Sequence, residues 1–180
     1  MKQLLTSLLL FAVALSAAAQ GQHIKFMGLP LDGTISQFEQ KLVAKGFKND
    51  RQLNAQIMEP FRVFRGTFAG HSAMVHINYD AKTKIVYRAK VIVESSTESA
   101  CNSIFNEFYN NISNKYNDWY CEKNEVFGSS ATYSWAGDIG EIDLFRTEDY
   151  DVYPNAYYVH IDYYDAINNA KHEESNSSDF

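Results

Sequence analysis

One arrangement constrains this chain more than any other, and it occurs twice. A capped amphipathic helix is followed by three runs of alternating apolar and polar residues, and then the order restarts. In the first pass Thr34 and Gln37 have the spacing of a capping box. Ile35, Phe38, Leu42 and Val43 make the apolar stripe, and Gly46-Phe47 reads as a Schellman stop with its hydrophobic contact. Strands are expected at Phe61–Phe68, Ser72–Tyr79 and Lys84–Glu94. A period of two turns Val75, Ile77, Tyr79, Tyr87, Ala89, Val91 and Val93 inward. It turns Met74, His76, Asn78, Arg88, Lys90 and Ile92 outward.

The second pass opens with Ser95 and Glu98, spaced as another capping box. Cys101, Ile104, Phe105, Phe108, Ile112 and Tyr116 then share a helical face. Strands are expected at Ala131–Trp135, Glu141–Arg146 and Tyr157–Asp165, with Ile142, Leu144, Val159, Ile161 and Tyr163 inward. Gly70 and Gly137 precede matching strands at an offset of 67, and Val75 and Ile77 match Ile142 and Leu144 at the same offset. Each unit has only about 70 residues, small for a core of its own. The expected fold is therefore α+β: two tandem αβββ units forming a mostly antiparallel sheet, with helices packed on one face. Residues 20–165 form a single globular domain of two pseudo-repeats, 20–94 and 95–165. Residues 166–180, rich in Asn, Ser and Glu, read as a flexible polar tail.

Residues 1–19 read as a signal peptide. Met1-Lys2-Gln3 is a basic n-region, Leu4 to Leu15 is apolar, and Ala17-Ala18-Ala19 supplies small residues for cleavage before Gln20. The expected location is periplasmic or secreted. The first Cys is Cys101, so no lipid anchor is expected, and no later stretch is long and apolar enough for membrane insertion. An oxidising compartment favours a bridge between Cys101 and Cys121. A helix running from Cys101 to about Asn117 would carry the thiols apart. Both states stay open at this point.

The chain has 16 Lys and Arg against 22 Asp and Glu, a formal net charge of −6, which argues against nucleic-acid binding. The charge is unevenly spread. Residues 20–94 hold 11 basic against 6 acidic side chains, net +5; residues 95–180 hold 4 against 16, net −12. A shared sheet would be electrostatically two-toned. That asymmetry serves either to dock the units on each other or to steer a cationic partner to the acidic half.

No Gly-x-Ser-x-Gly elbow, phosphate-binding loop or His-Glu-x-x-His stands in the sequence. No cofactor is expected. His76 and His160 lie mid-strand on outward faces and read as exposed; as metal ligands they would need Glu141, Asp143 or Asp162 as a third. The acidic run Asp138, Glu141, Asp143, Glu148, Asp149 and Asp151 lacks calcium-loop spacing. Gly66, Gly70, Gly137 and Gly140 read as turn or bulge glycines. The most distinctive stretch is rich in tyrosine: Tyr150, Tyr153, Tyr157, Tyr158, Tyr163 and Tyr164, interleaved with acids. By parity Phe145, Tyr158, His160, Asp162, Tyr164, Glu141 and Asp143 share one outward surface. Exposed Tyr beside carboxylates suits a protein interface or sugar stacking. The expected partner is a protein or a glycan. An unrecognised hydrolase using paired carboxylates is the remaining alternative.

Two resemblances follow from these residues. Phe26-Met27-Gly28-Leu29-Pro30-Leu31-Asp32-Gly33-Thr34, then Phe38, Leu42 and Gly46-Phe47, resembles the opening of a family of small uncharacterised exported proteins of Gram-negative bacteria. It implies export and no particular chemistry. The tandem layout resembles the architecture of the β-lactamase inhibitor proteins, in which a concave sheet grips a partner protein. That implies a binding or inhibitor-like role. The two cysteines per repeat of that family are not matched, so no bridge or binding residue is carried over.

Overall fold

A computed structural model describes residues 21–125, 131–149 and 156–177. The expected signal peptide, and Tyr150, Asp151 and Tyr153, lie outside the described residues. The first unit contains β1 (Lys25–Phe26), β2 (Leu29–Pro30), α1 (Ile35–Ala44), β3 (Lys48–Asn49), α2 (Arg51–Asn54), β4 (Phe61–Phe68), β5 (His71–Tyr79) and β6 (Val86–Ser95). The second contains α3 (Glu98–Lys115), β7 (Tyr120–Asn124), β8 (Thr132–Gly137), β9 (Gly140–Asp149) and β10 (Ala156–Asp165), followed by α4 (Ala166–Ser177).

β3 to β10 form one eight-stranded antiparallel sheet in the order β3-β4-β5-β6-β10-β9-β8-β7. The order reads outward from a central seam. The last strand of each unit, β6 and β10, pair there, with Val91 opposite Ile161 and Val93 opposite Val159. The expected α+β architecture of two tandem units on a shared sheet is thus present. Each unit also carries a fourth short strand, β3 or β7, that alternation was too brief to mark.

One hydrophobic core lies on the helix side. Ile35, Phe38 and Leu42 of α1, and Cys101, Phe108 and Ile112 of α3, pack on Val75, Ile77, Ala89, Val91, Val93, Ile142, Leu144, Val159, Ile161 and Tyr163. The inward parity read from sequence agrees with these strand positions, but Tyr79 is only partly buried, and past a register shift between Asn78 and Tyr79 the core residue is Val86 rather than the expected Tyr87. The Thr34–Gln37 capping box is formed. Gly46 (φ +92°) takes the left-handed turn that closes α1; its N–H donates to Val43 O and that of Phe47 to Leu42 O, a Schellman motif. The Phe26-to-Thr34 motif also has a structural reading. Met27-Gly28 turns the β1–β2 hairpin, Phe26 and Leu31 are buried, and Thr34 caps α1.

Several expectations are corrected. The N-cap of α3 is Thr97, whose side chain accepts from Ala100 N–H; Ser95 ends β6 and donates its hydroxyl to Thr97 O. The β4–β5 and β8–β9 hairpins close at Phe68↔His71 and Gly137↔Gly140, so they correspond at an offset of 69 rather than 67. A shift of two preserves the face of every residue, which is why the inward assignments hold. Gly66 and Gly137 are not turn glycines. An added Cβ at Gly66 would stand 2.6 Å from the Phe47 ring, and at Gly137 2.5 Å from the Trp119 indole. Each unit lays an aromatic ring, carried just after its first helix, into a glycine notch. The expected flexible tail is helical through Ser177: Asn168 is buried and donates to Leu31 O and Val86 O, while His172 stacks on Tyr87 and bonds Asp80.

Cys101 is buried and Cys121 exposed, and neither is bridged. The first lies early in α3 and the second on edge strand β7, as the helix-length argument favours.

Candidate functional site

All helices that contribute to the core lie on one face, so the other face of the sheet carries the outward residues of both units. The pairing registers arrange them in rows. One row runs Arg65, Met74, Ile92, His160, Phe145. The next runs Val63, His76, Lys90, Asp162, Asp143, Ser134. A third runs Phe61, Asn78, Arg88, Tyr164, Glu141. Phe145, Tyr158, His160, Asp162, Tyr164, Glu141 and Asp143 are therefore together on one surface, on β9 and β10, as parity places them. The sheet is two-toned along the seam, with Arg88 and Lys90 facing Asp162, Asp143 and Glu141.

Part of that asymmetry is used internally. Arg88 donates to Asp162 across the seam at 2.6 Å, and Asp162 is almost fully buried. Burial raises the Asp162 pKa, and the charge and hydrogen bond of Arg88 oppose the rise. Burial also lowers the Arg88 value, but the Asp162 charge and hydrogen bond outweigh it, and the net movement is upward. The pair thus links the two units through a polar contact with little water around it. Asp162 Oδ1 and Arg88 Nε have no hydrogen-bond partner among the described residues.

The histidines are not exposed as expected. His160 lies under Phe145, ring centroids 4.7 Å apart and nearly parallel, and its Nε2 is 2.7 Å from Thr147 Oγ1. His76 stacks on Phe61 at 5.0 Å. Burial, aided by the charge of Lys90, pushes both imidazoles down to about 4, so both are neutral at neutral pH. They do not make a metal centre. His76 pairs opposite Lys90 and His160 opposite Ile92, and no group of three His, Cys, Asp or Glu suited to a metal occurs among the described residues.

The aromatic rings are unequal. Lys90 Nζ stands 5.5 Å from the Phe145 centroid, and the Arg88 guanidinium 4.8 Å from that of Tyr164. The Tyr164 hydroxyl is pushed up to about 12 by burial and by Asp162. Tyr158 has no cation over its ring among the described residues and is only tilted toward His160, 6.2 Å away. Beside it lies an open depression of about 610 Å³ lined by Met74, Ile92, Thr147, Glu148, Asp149, Tyr158 and His160. It continues toward Arg65, Ser72 and Glu94. Sequence reasoning did not single out Met74, Ile92, Glu94, Thr147 or Asp149 for this surface. Their approach to Tyr158 depends on β6 and β9 both pairing with β10, a long-range fact that local alternation does not carry.

Glu141 is raised by burial and by the charge and hydrogen bond of Asp143. Neither Glu141 nor Asp162 lines the depression. No helix among the described residues is long and apolar enough to cross a membrane. Comparison with family models, with curated proteins and with solved structures returned no match.

Proposed function

We propose that this chain is an exported, non-enzymatic binding or inhibitor-like module that grips a partner protein on the open face of its sheet. The observation that carries the reading is the division of the sheet into a face packed by helices and a face bearing a two-toned, aromatic-studded surface with an open depression. Protein interfaces combine such aromatic anchors with complementary charge. The carboxylates with raised pKa lie apart from the depression, which favours binding over hydrolysis. The glycan alternative is weakened because two of its three expected stacking platforms, Phe145 and Tyr164, already carry a protein cation. Export rests on the signal-peptide reading of residues 1–19, with the mature chain acting in the periplasm or outside the cell.

The test is capture of envelope and medium proteins on immobilised residues 20–180 at low ionic strength. Ser72 and Thr147 are exposed on the open face, and Ser103 is exposed on α3. Ser72→Trp with Thr147→Trp should abolish recovery of the partner, and Ser103→Trp should preserve it. A partner retained by the blocked open face, or no partner at all, would contradict the reading.

A further inference from the structure

We infer that Tyr158 and the depression beside it receive a basic side chain, Arg or Lys, from a loop of the partner protein; this rests on the binding reading above and names the chemistry of the partner. Three aromatic rings of β9 and β10 point to this side: Phe145, Tyr158 and Tyr164. Two of them have a first-unit cation over the ring, Lys90 on Phe145 and Arg88 on Tyr164. Tyr158 alone lacks one among the described residues. Its cross-strand neighbour on β6 is Glu94, an acid; that of Tyr164 is Arg88, and Lys90 reaches Phe145 from the adjoining row.

The surroundings of Tyr158 are those a basic side chain requires. Glu94 stands on β6 and Asp149 on β9, the two strands that flank β10, and the charge of each acts on the Tyr158 hydroxyl. Met74 and Ile92 supply apolar walls for an aliphatic stem. His160, only 8% exposed, forms part of the floor. Being neutral, that imidazole adds no positive charge beneath the depression. Arg65, the cation at the rim, is committed to Asp50 at 2.8 Å. Glu94 makes no ion pair with a described residue. A cation over an aromatic face is the arrangement the other two rings already display within this chain, and at Tyr164 carboxylates stand close by.

The experiment is an NMR titration of residues 20–180 with three probes: blocked Gly-Arg-Gly tripeptide, its Gly-Gln-Gly analogue, and a neutral β-linked glucan hexasaccharide. The Arg tripeptide should shift the Tyr158 ring and Thr147 signals saturably, and the other two should not. Tyr158→Ala should weaken the Arg tripeptide roughly fivefold or more. Tyr158→Phe should bind as wild type, because the ring and not the hydroxyl holds the cation; Glu94→Gln should weaken binding. Equal response to the Gln analogue, unchanged binding in Tyr158→Ala, or a saturable response to the glucan alone would overturn the inference. So would a dimer of the chain by itself, seen in sedimentation and abolished by Tyr158→Ala, since the occupant would then be a second copy. If Ser72→Trp with Thr147→Trp abolishes partner capture while the Arg tripeptide fails to bind, this inference falls and the open-face reading stands. If capture is indifferent to both, both fall.

Discussion

The residues that decide the character of the open face are polar groups removed from water. His76 and His160 are held neutral down to about pH 4, whereas an unfolded chain protonates them near 6.5. The unfolded state binds more protons in that interval, so stability falls as pH drops from 6.5 towards 4. For His160 the contribution is on the order of 2 kcal/mol. His160→Phe keeps an aromatic on Phe145 and should flatten this slope, read as the urea midpoint against pH; an unchanged slope would refute the assignment. Asp80 acts in the same sense, in a more acid interval. The Thr83 backbone N–H and its other hydrogen-bond partners, which include His172, hold its carboxyl well below the usual range, so its stabilisation persists until the medium is more acid than 3.8. Arg88 and Asp162 give a second prediction. Arg88→Met strands a buried carboxylate and should cost about 3 kcal/mol in urea unfolding, while Arg88→Met with Asp162→Leu should recover most of it.

At the scale of elements, α4 is tied down by one buried amide more than by apolar area. Asn168 satisfies two backbone carbonyls, of Leu31 and Val86, from different parts of the first unit. Asn168→Ala removes a buried donor from both carbonyls and should lower stability by about 2 kcal/mol, with faster amide exchange in 166–177. The glycine notches should behave as a matched pair. Gly66→Ala and Gly137→Ala each push a ring aside, and each should destabilise by about 1–3 kcal/mol in thermal or urea unfolding. These elements also show what a sequence can carry. The capping box at Thr34, the Schellman stop at Gly46 and most inward strand positions were readable because each depends on neighbours within a few residues; Val86 in place of Tyr87 was not, because it follows a register shift against β5. The helix in 166–177 was not, because it is held by Asn168 and His172 reaching residues far away, and its own sequence is polar. The outward set Phe145, Tyr158, His160, Asp162 and Tyr164 followed from parity. The burial of His160 and Asp162 did not, because the side chains of neighbouring strands cover them.

At the scale of the molecule, the uneven charge is spent partly inside the chain. Arg88, Lys90 and Asp162 bring the units together at the β6–β10 seam, which satisfies part of the +5 and −12 balance internally. Glu94 on β6 and Asp149 on β9, both acting on Tyr158, mark the acidic surface that we propose receives a basic partner. Side-chain footprinting of the chain, alone and with its captured partner, tests the central claim most directly, because alternate residues of each strand report opposite faces. The account predicts protection of Met74, Phe145, Tyr158 and Tyr164, with no change at Met58, fully exposed outside the sheet, or at Val43 on α1. Protection of Val43 and other helix-face positions, with Tyr158 and Met74 left as reactive as in the free chain, would contradict it.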